Sequence, residues 1–144
     1  MKIVRSTTSN TYSLISGSTT QKITWLRYVL LFKVFVCILI WGLPSLFGPA
    51  PLLKLFGVIL PADPIFVRMF GTIMIALGSL YYFAYRDPIR NRDIITYAIV
   101  DNSLGTLALI GVALTTGITA WFFWVSGALT TFFAVAFYYL RPGE

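Results

Sequence analysis

Only three ionisable side chains fall well inside the apolar stretches of this chain: Lys33, Arg68 and Asp101. Such a residue costs about 2.5–3.5 kcal/mol in hydrocarbon on insertion scales, so each needs a reason to be there. Lys33 and Asp101 carry opposite charges, and Asn102 adds an amide next to Asp101. Brought together, they would form an intramembrane ion pair with a polar neighbour. A pair of that kind either neutralises itself and fixes helix packing or makes a site for a cation or a proton. In a third reading Lys33 snorkels to the headgroups, as is expected of Arg68 at the opposite interface.

Other chemistry finds little to work with. The chain has no histidine. That removes the commonest metal ligand, the usual proton shuttle and the base of a Ser-His-Asp or Cys-His pair. The single cysteine, Cys37, lies in an apolar run and reads as a small buried hydrophobe. No glycine-rich phosphate loop is present. We therefore expect no catalytic residues, no metal site and no cofactor, and a protein that is not an enzyme. Arg86, Arg90 and Arg92 cluster in one loop and suit an anionic lipid headgroup. The aromatic cluster at 121–124 reads as an interfacial anchor, or as a stacking surface for a pigment, quinone or sterol.

The elements that must position these residues are apolar helices. Hydrophobic residues make up 58% of the chain and charged residues 11%, against about 45–50% and 25% in ordinary globular proteins. So few charges cannot coat a water-exposed surface, and lipid must be the solvent. The formal charge of +6 is then a membrane feature and not a sign of nucleic-acid binding.

Four spans are predicted, at 25–43, 65–85, 94–114 and 118–140, forming an all-α four-transmembrane-helix bundle over 23–144. The first would be roughly 28 Å long at the helical rise, close to the hydrocarbon thickness. Gly42 and Pro44 are expected to end it. The apolar run 52–60 is too short to span and is bracketed by Pro51 and Pro61. It reads as an interfacial or re-entrant helix between the first two spans. Asp63 and Asp93 are expected to cap the second and third helices. Residues 1–22, polar and rich in Ser and Thr, read as a flexible tail or a targeting segment.

Depth links the charges. Lys33 lies eight residues past Trp25, roughly 12 Å along its helix, and Asp101 seven residues past Ile94, roughly 10 Å along its own. Small residues recur on helix faces: Gly71 and Gly78, Gly105 and Ala108, Ser126 and Thr130. They are expected to bury against other helices, because close approach drives association in lipid. Lys2, Arg5, Lys22, Arg27, Arg86, Arg90, Arg92 and Arg141 fall on one side of the four spans, and Lys54 on the other. The positive-inside rule then puts both termini in the cytoplasm, in a bacterial inner membrane by expectation.

The stretches WGLPSLFGPAPLLKLFG and VRMFGTIMIALGSLYYFAYRDPIRNR, with the polar-small third helix, resemble the DoxX-like group of small four-helix bacterial membrane proteins. The resemblance covers roughly 25–140 and implies a compact four-helix bundle with no agreed activity. The leading functional expectation is a non-catalytic accessory or scaffold subunit. It would pack against membrane lipids and other membrane subunits, or against copies of itself. The alternatives are an oligomeric transporter or channel using Asp101 and Lys33, or a binder or carrier of a lipid-soluble ligand.

Overall fold

The computed structural model describes residues 6–117 and 120–142, with side chains from residue 20 onward. Its long elements follow the hydropathy. Helix α1 (Ser6–Phe35) passes into a π-helical segment (Val36–Gly42) and then into α2 (Leu43–Phe47). A short α3 (Ala50–Leu55) leads to α4 (Ile65–Arg86), α5 (Arg92–Thr116) and α6 (Trp121–Leu140). Four stretches are long and apolar enough to cross a membrane: Thr20–Phe47, Ile65–Arg86, Arg92–Thr116 and Trp121–Leu140. The chain is thus an all-α bundle with the helices of a multi-pass membrane protein. Leu104, Leu107, Ile110 and Leu114 on α5, like Phe66 and Ile73 on α4, are exposed where lipid would lie.

The first span is longer than expected at both ends. Helix α1 reaches back to Ser6, through the stretch expected to be a flexible tail. Once nucleated, a helix gains one hydrogen bond per added residue, so the apolar half can extend it. At the other end the helix does not stop at Gly42 and Pro44. The backbone stays right-handed through Phe35, Gly42 and Leu43. The wider π turn upstream makes room for Pro44, whose ring would strike a carbonyl four residues back in a regular α-helix.

The apolar run 52–60 is helical only to Leu55. The chain then turns at Gly57, in the left-handed region at φ 74°, and continues without regular structure to α4. Leu53 is buried, and the Phe56 ring packs on Phe122 at 5.3 Å, so this segment closes over the start of α6. Asp63 does not hold the N-cap of α4, which is Pro64; one residue earlier, it accepts from the Ile65 N–H at 3.1 Å. Asp93 instead lies within the first turn of α5. The Asn91 side chain satisfies the Phe83 and Asp87 carbonyls at the end of α4.

Helix α4 packs on α1 and on its π and α2 continuation, α1 also meets α6, and α6 packs along α5. Contact between α4 and α5 is the thinnest of the four sides. Packing is dense in the half nearest the termini, where Leu26, Leu30, Tyr81, Ala84, Ile95, Ala98, Phe133 and Phe137 form one buried cluster. Toward the other end the helices part, and a cavity opens between them.

Candidate intramembrane site

Four helices contribute side chains to the site around Lys33, at the edge of that cavity. Helix α1 supplies Lys33, and the π segment supplies Cys37 and Trp41. Helix α4 supplies Tyr81, α5 supplies Asp101 and Asn102, and α6 supplies Phe133. Lys33 is 2% exposed and Asn102 1%. Burying an ammonium requires partners, and Lys33 has two kinds. Its Nζ donates to Asn102 Oδ1 at 2.6 Å. It also lies 4.7 Å from the centre of the Phe133 ring, 5.1 Å from Trp41 and 5.6 Å from Tyr81. A desolvated cation over an aromatic face gains about 2 kcal/mol. Asn102 is held in turn, its Nδ2 donating to the Ala98 carbonyl at 2.7 Å. Lysine can only donate, so the amide oxygen must face it.

Asp101, half-buried, accepts from the Tyr81 hydroxyl through Oδ2 at 2.7 Å. No direct ion pair joins Lys33 to Asp101. The expected pairing is corrected in its partners, though not in its place: both side chains line the same cavity with Asn102. The reason is rotational. Adjacent residues point about 100° apart on a helix, so Asn102 and not Asp101 meets α1, while Asp101 turns to α4. Lys33 does not reach outward, because its amine is buried and bonded to Asn102.

The cavity measures about 460 Å³ and is lined mostly by apolar groups, among them Phe66, Phe70, Met74, Leu77, Leu109 and Phe122. Its polar lining is Lys33, Asp101, Asn102, Ser45, Ser126 and Thr130. The latter two belong to an α5–α6 seam in which the Thr106 hydroxyl donates to Thr130 Oγ1 at 3.0 Å.

The remaining predicted residues fall elsewhere. A Cβ on Gly71 would sit 2.5 Å from the Leu46 nitrogen, and one on Gly78 2.5 Å from Ile38 Cγ1, so both lie where α4 meets the first span. Gly105 faces Thr130 and lines the cavity. Ala108 is exposed, away from the α5–α6 seam. Arg86, Arg90 and Arg92 are exposed near the α4–α5 connection. Trp121 and Trp124 point outward, and Phe122 and Phe123 take the cavity side. Arg68 is not free at the interface: its Nη1 donates to the Ser45 and Gly48 carbonyls, 3.0 Å each, at the end of α2.

Sequence reading missed Tyr81, Trp41 and Phe133. The signal for Tyr81 was present. Positions 71, 74, 78, 81 and 84 fall on one helical face, so Tyr81 shares the face of Gly71 and Gly78. Set beside family models, curated proteins and solved structures, the chain matches none of them, so its site stands on its own geometry.

Proposed function

We propose that this protein binds a small apolar molecule within the membrane, holding it in the cavity with its polar end toward Lys33, Asp101 and Asn102. One observation carries this reading: a cavity of about 460 Å³ with mostly apolar walls and a floor of buried polar side chains. Ligand sites have this form, apolar walls with a few placed polar groups, in volumes of about 300–1,000 Å³. Packing for its own sake would leave no such space, because interiors are close-packed.

The scaffold reading has less support. Of the small residues that motivate it, Gly71, Gly78, Ser126 and Thr130 are buried within the chain's own bundle and Gly105 faces Thr130, while Ala108 is exposed. The buried ones offer no face to a partner. The role proposed is binding or carriage, not catalysis. Both termini are placed on the cytoplasmic side, on the strength of the basic residues at that end.

The test is chemical. The protein is purified in a mild detergent, and the molecules that come with it are extracted and identified by mass spectrometry. A Leu109→Trp variant, which fills the cavity from α5, is treated in parallel. A lipid-soluble species enriched by the native chain and absent from the variant supports the reading. The same species at the same level in both overturns it.

A further inference from the structure

We infer that the polar end of the ligand is an uncharged carbonyl oxygen, as in a long-chain ketone, aldehyde or ester, and that it accepts a hydrogen bond from Lys33. This rests on the binding reading above and narrows it. The first support is charge balance. Lys33 and Asp101 line the same cavity with opposite charges. A carboxylate entering the floor would meet Asp101, and a quaternary ammonium would meet Lys33. A neutral group meets neither penalty, and in a cavity with this apolar a wall such penalties are weakly screened.

The second support is the donor count. A lysine ammonium has three N–H donors. Among the described residues Lys33 has one hydrogen-bond acceptor, Asn102 Oδ1. Its other neighbours are the faces of Phe133, Trp41 and Tyr81, which attract a cation but are poor substitutes for an oxygen lone pair. An acceptor oxygen from the ligand would complete the set. The third support is depth. Asp101, the acceptor that would favour a hydroxyl, accepts from Tyr81 through Oδ2 and is only half-buried. Lys33, the donor, is sealed in the floor. A group reaching the end of the cavity therefore meets a donor, and a carbonyl is an uncharged group that accepts without donating.

The experiment uses chains of matched length on the full protein in lipid nanodiscs, with empty nanodiscs as the blank. Radiolabelled 2-heptadecanone is bound, then displaced by palmitate, hexadecyltrimethylammonium, 1-heptadecanol or heptadecane. We expect the ketone to bind and each charged chain to displace it at least about tenfold less well than unlabelled ketone. Lys33→Met should weaken ketone binding about tenfold, the loss of one hydrogen bond to a charged donor. It should leave the affinity of heptadecane itself unchanged. Palmitate or the alcohol displacing as well as the ketone overturns the carbonyl assignment and leaves the binding reading standing. Failure of every chain, heptadecane included, overturns the binding reading itself. Should Lys33→Met not fold, the ranking of ligands on the native chain still decides.

Discussion

Lys33 Nζ and Asn102 Oδ1 lie 2.6 Å apart, joining α1 to α5, two helices whose backbones do not otherwise meet. That bond spans the bundle diagonally and sits where packing gives way to the cavity. Replacing Asn102 with Leu removes the only hydrogen-bond acceptor that the described residues give the amine. A buried group left unsatisfied costs about 1–3 kcal/mol, and a charged one more. We expect Asn102→Leu to lower thermal stability in detergent clearly, and Lys33→Met with Asn102→Leu to recover part of the loss. Equal melting of Asn102→Leu and the native chain would show that the bond contributes nothing.

The second prediction separates the observed partners from the expected ones. Tyr81 donates to Asp101 at 2.7 Å, and Lys33 does not contact that carboxylate directly. A double-mutant cycle of Tyr81→Phe with Asp101→Asn should give a coupling of about 0.5–3 kcal/mol, as for residues in contact. The cycle of Lys33→Met with Asp101→Asn should give less. A reversed order would restore a direct Lys33–Asp101 pair.

The glycines of α4 and α5 should differ by what their neighbours can do. A Cβ on Gly71 would press on the backbone nitrogen of Leu46, which cannot move without shifting α2. On Gly78 it would press on the Ile38 side chain, which is stiff near its branch but gives more readily than backbone, and on Gly105 it would make ordinary contact with Thr130. The expected order of damage is therefore Gly71→Ala, then Gly78→Ala, with Gly105→Ala near neutral. Folded yield after detergent extraction reads this order, and an undamaged Gly71→Ala would refute the close contact.

Topology can be labelled directly. After Cys37 is replaced by Ser, single cysteines are placed at Ile59 and Ile89, both exposed and in opposite connections. An impermeant thiol reagent on whole cells should reach Ile59→Cys, and should reach Ile89→Cys only after lysis. The opposite pattern would reverse the orientation that the arginines imply.

Much of this was legible before any coordinates. The four spans, the matched positions of Lys33 and Asp101 along their helices, and the buried faces of Gly71, Gly78, Ser126 and Thr130 follow from helical period and hydropathy, whereas Ala108 is exposed. What was not legible depended on rotation about helix axes. Depth puts Lys33 level with both Asp101 and Asn102, but only the angle between α1 and α5 decides which one it meets. The aromatic rings around the amine were hidden for a different reason. In an apolar sequence Trp41, Tyr81 and Phe133 look like any lipid anchor or core residue. Pro44 misled because the rule that it stops a helix assumes an α-helical turn before it.

That turn has one more consequence. Cys37 and Gly42 both face α4, at Gly78 and Ile75, although they are five residues apart. On a regular α-helix two such positions would point roughly 140° away from each other. The π segment thus carries one spare residue, absorbed without re-aiming the chain on either side. The first span should tolerate shortening here better than anywhere else along it. Deleting the exposed Leu39 should let the segment relax to an α-helix, with Lys33 and Gly42 still facing inward. Deleting Leu31, in the regular helix upstream, should instead swing the N-terminal turns by about 100°. Comparing the expression of the two deletions would reveal whether the spare residue is structural slack. If the Leu39 deletion folds yet binds 2-heptadecanone less well than the native chain, the extra residue is kept for the shape it gives the cavity wall at Cys37 and Trp41.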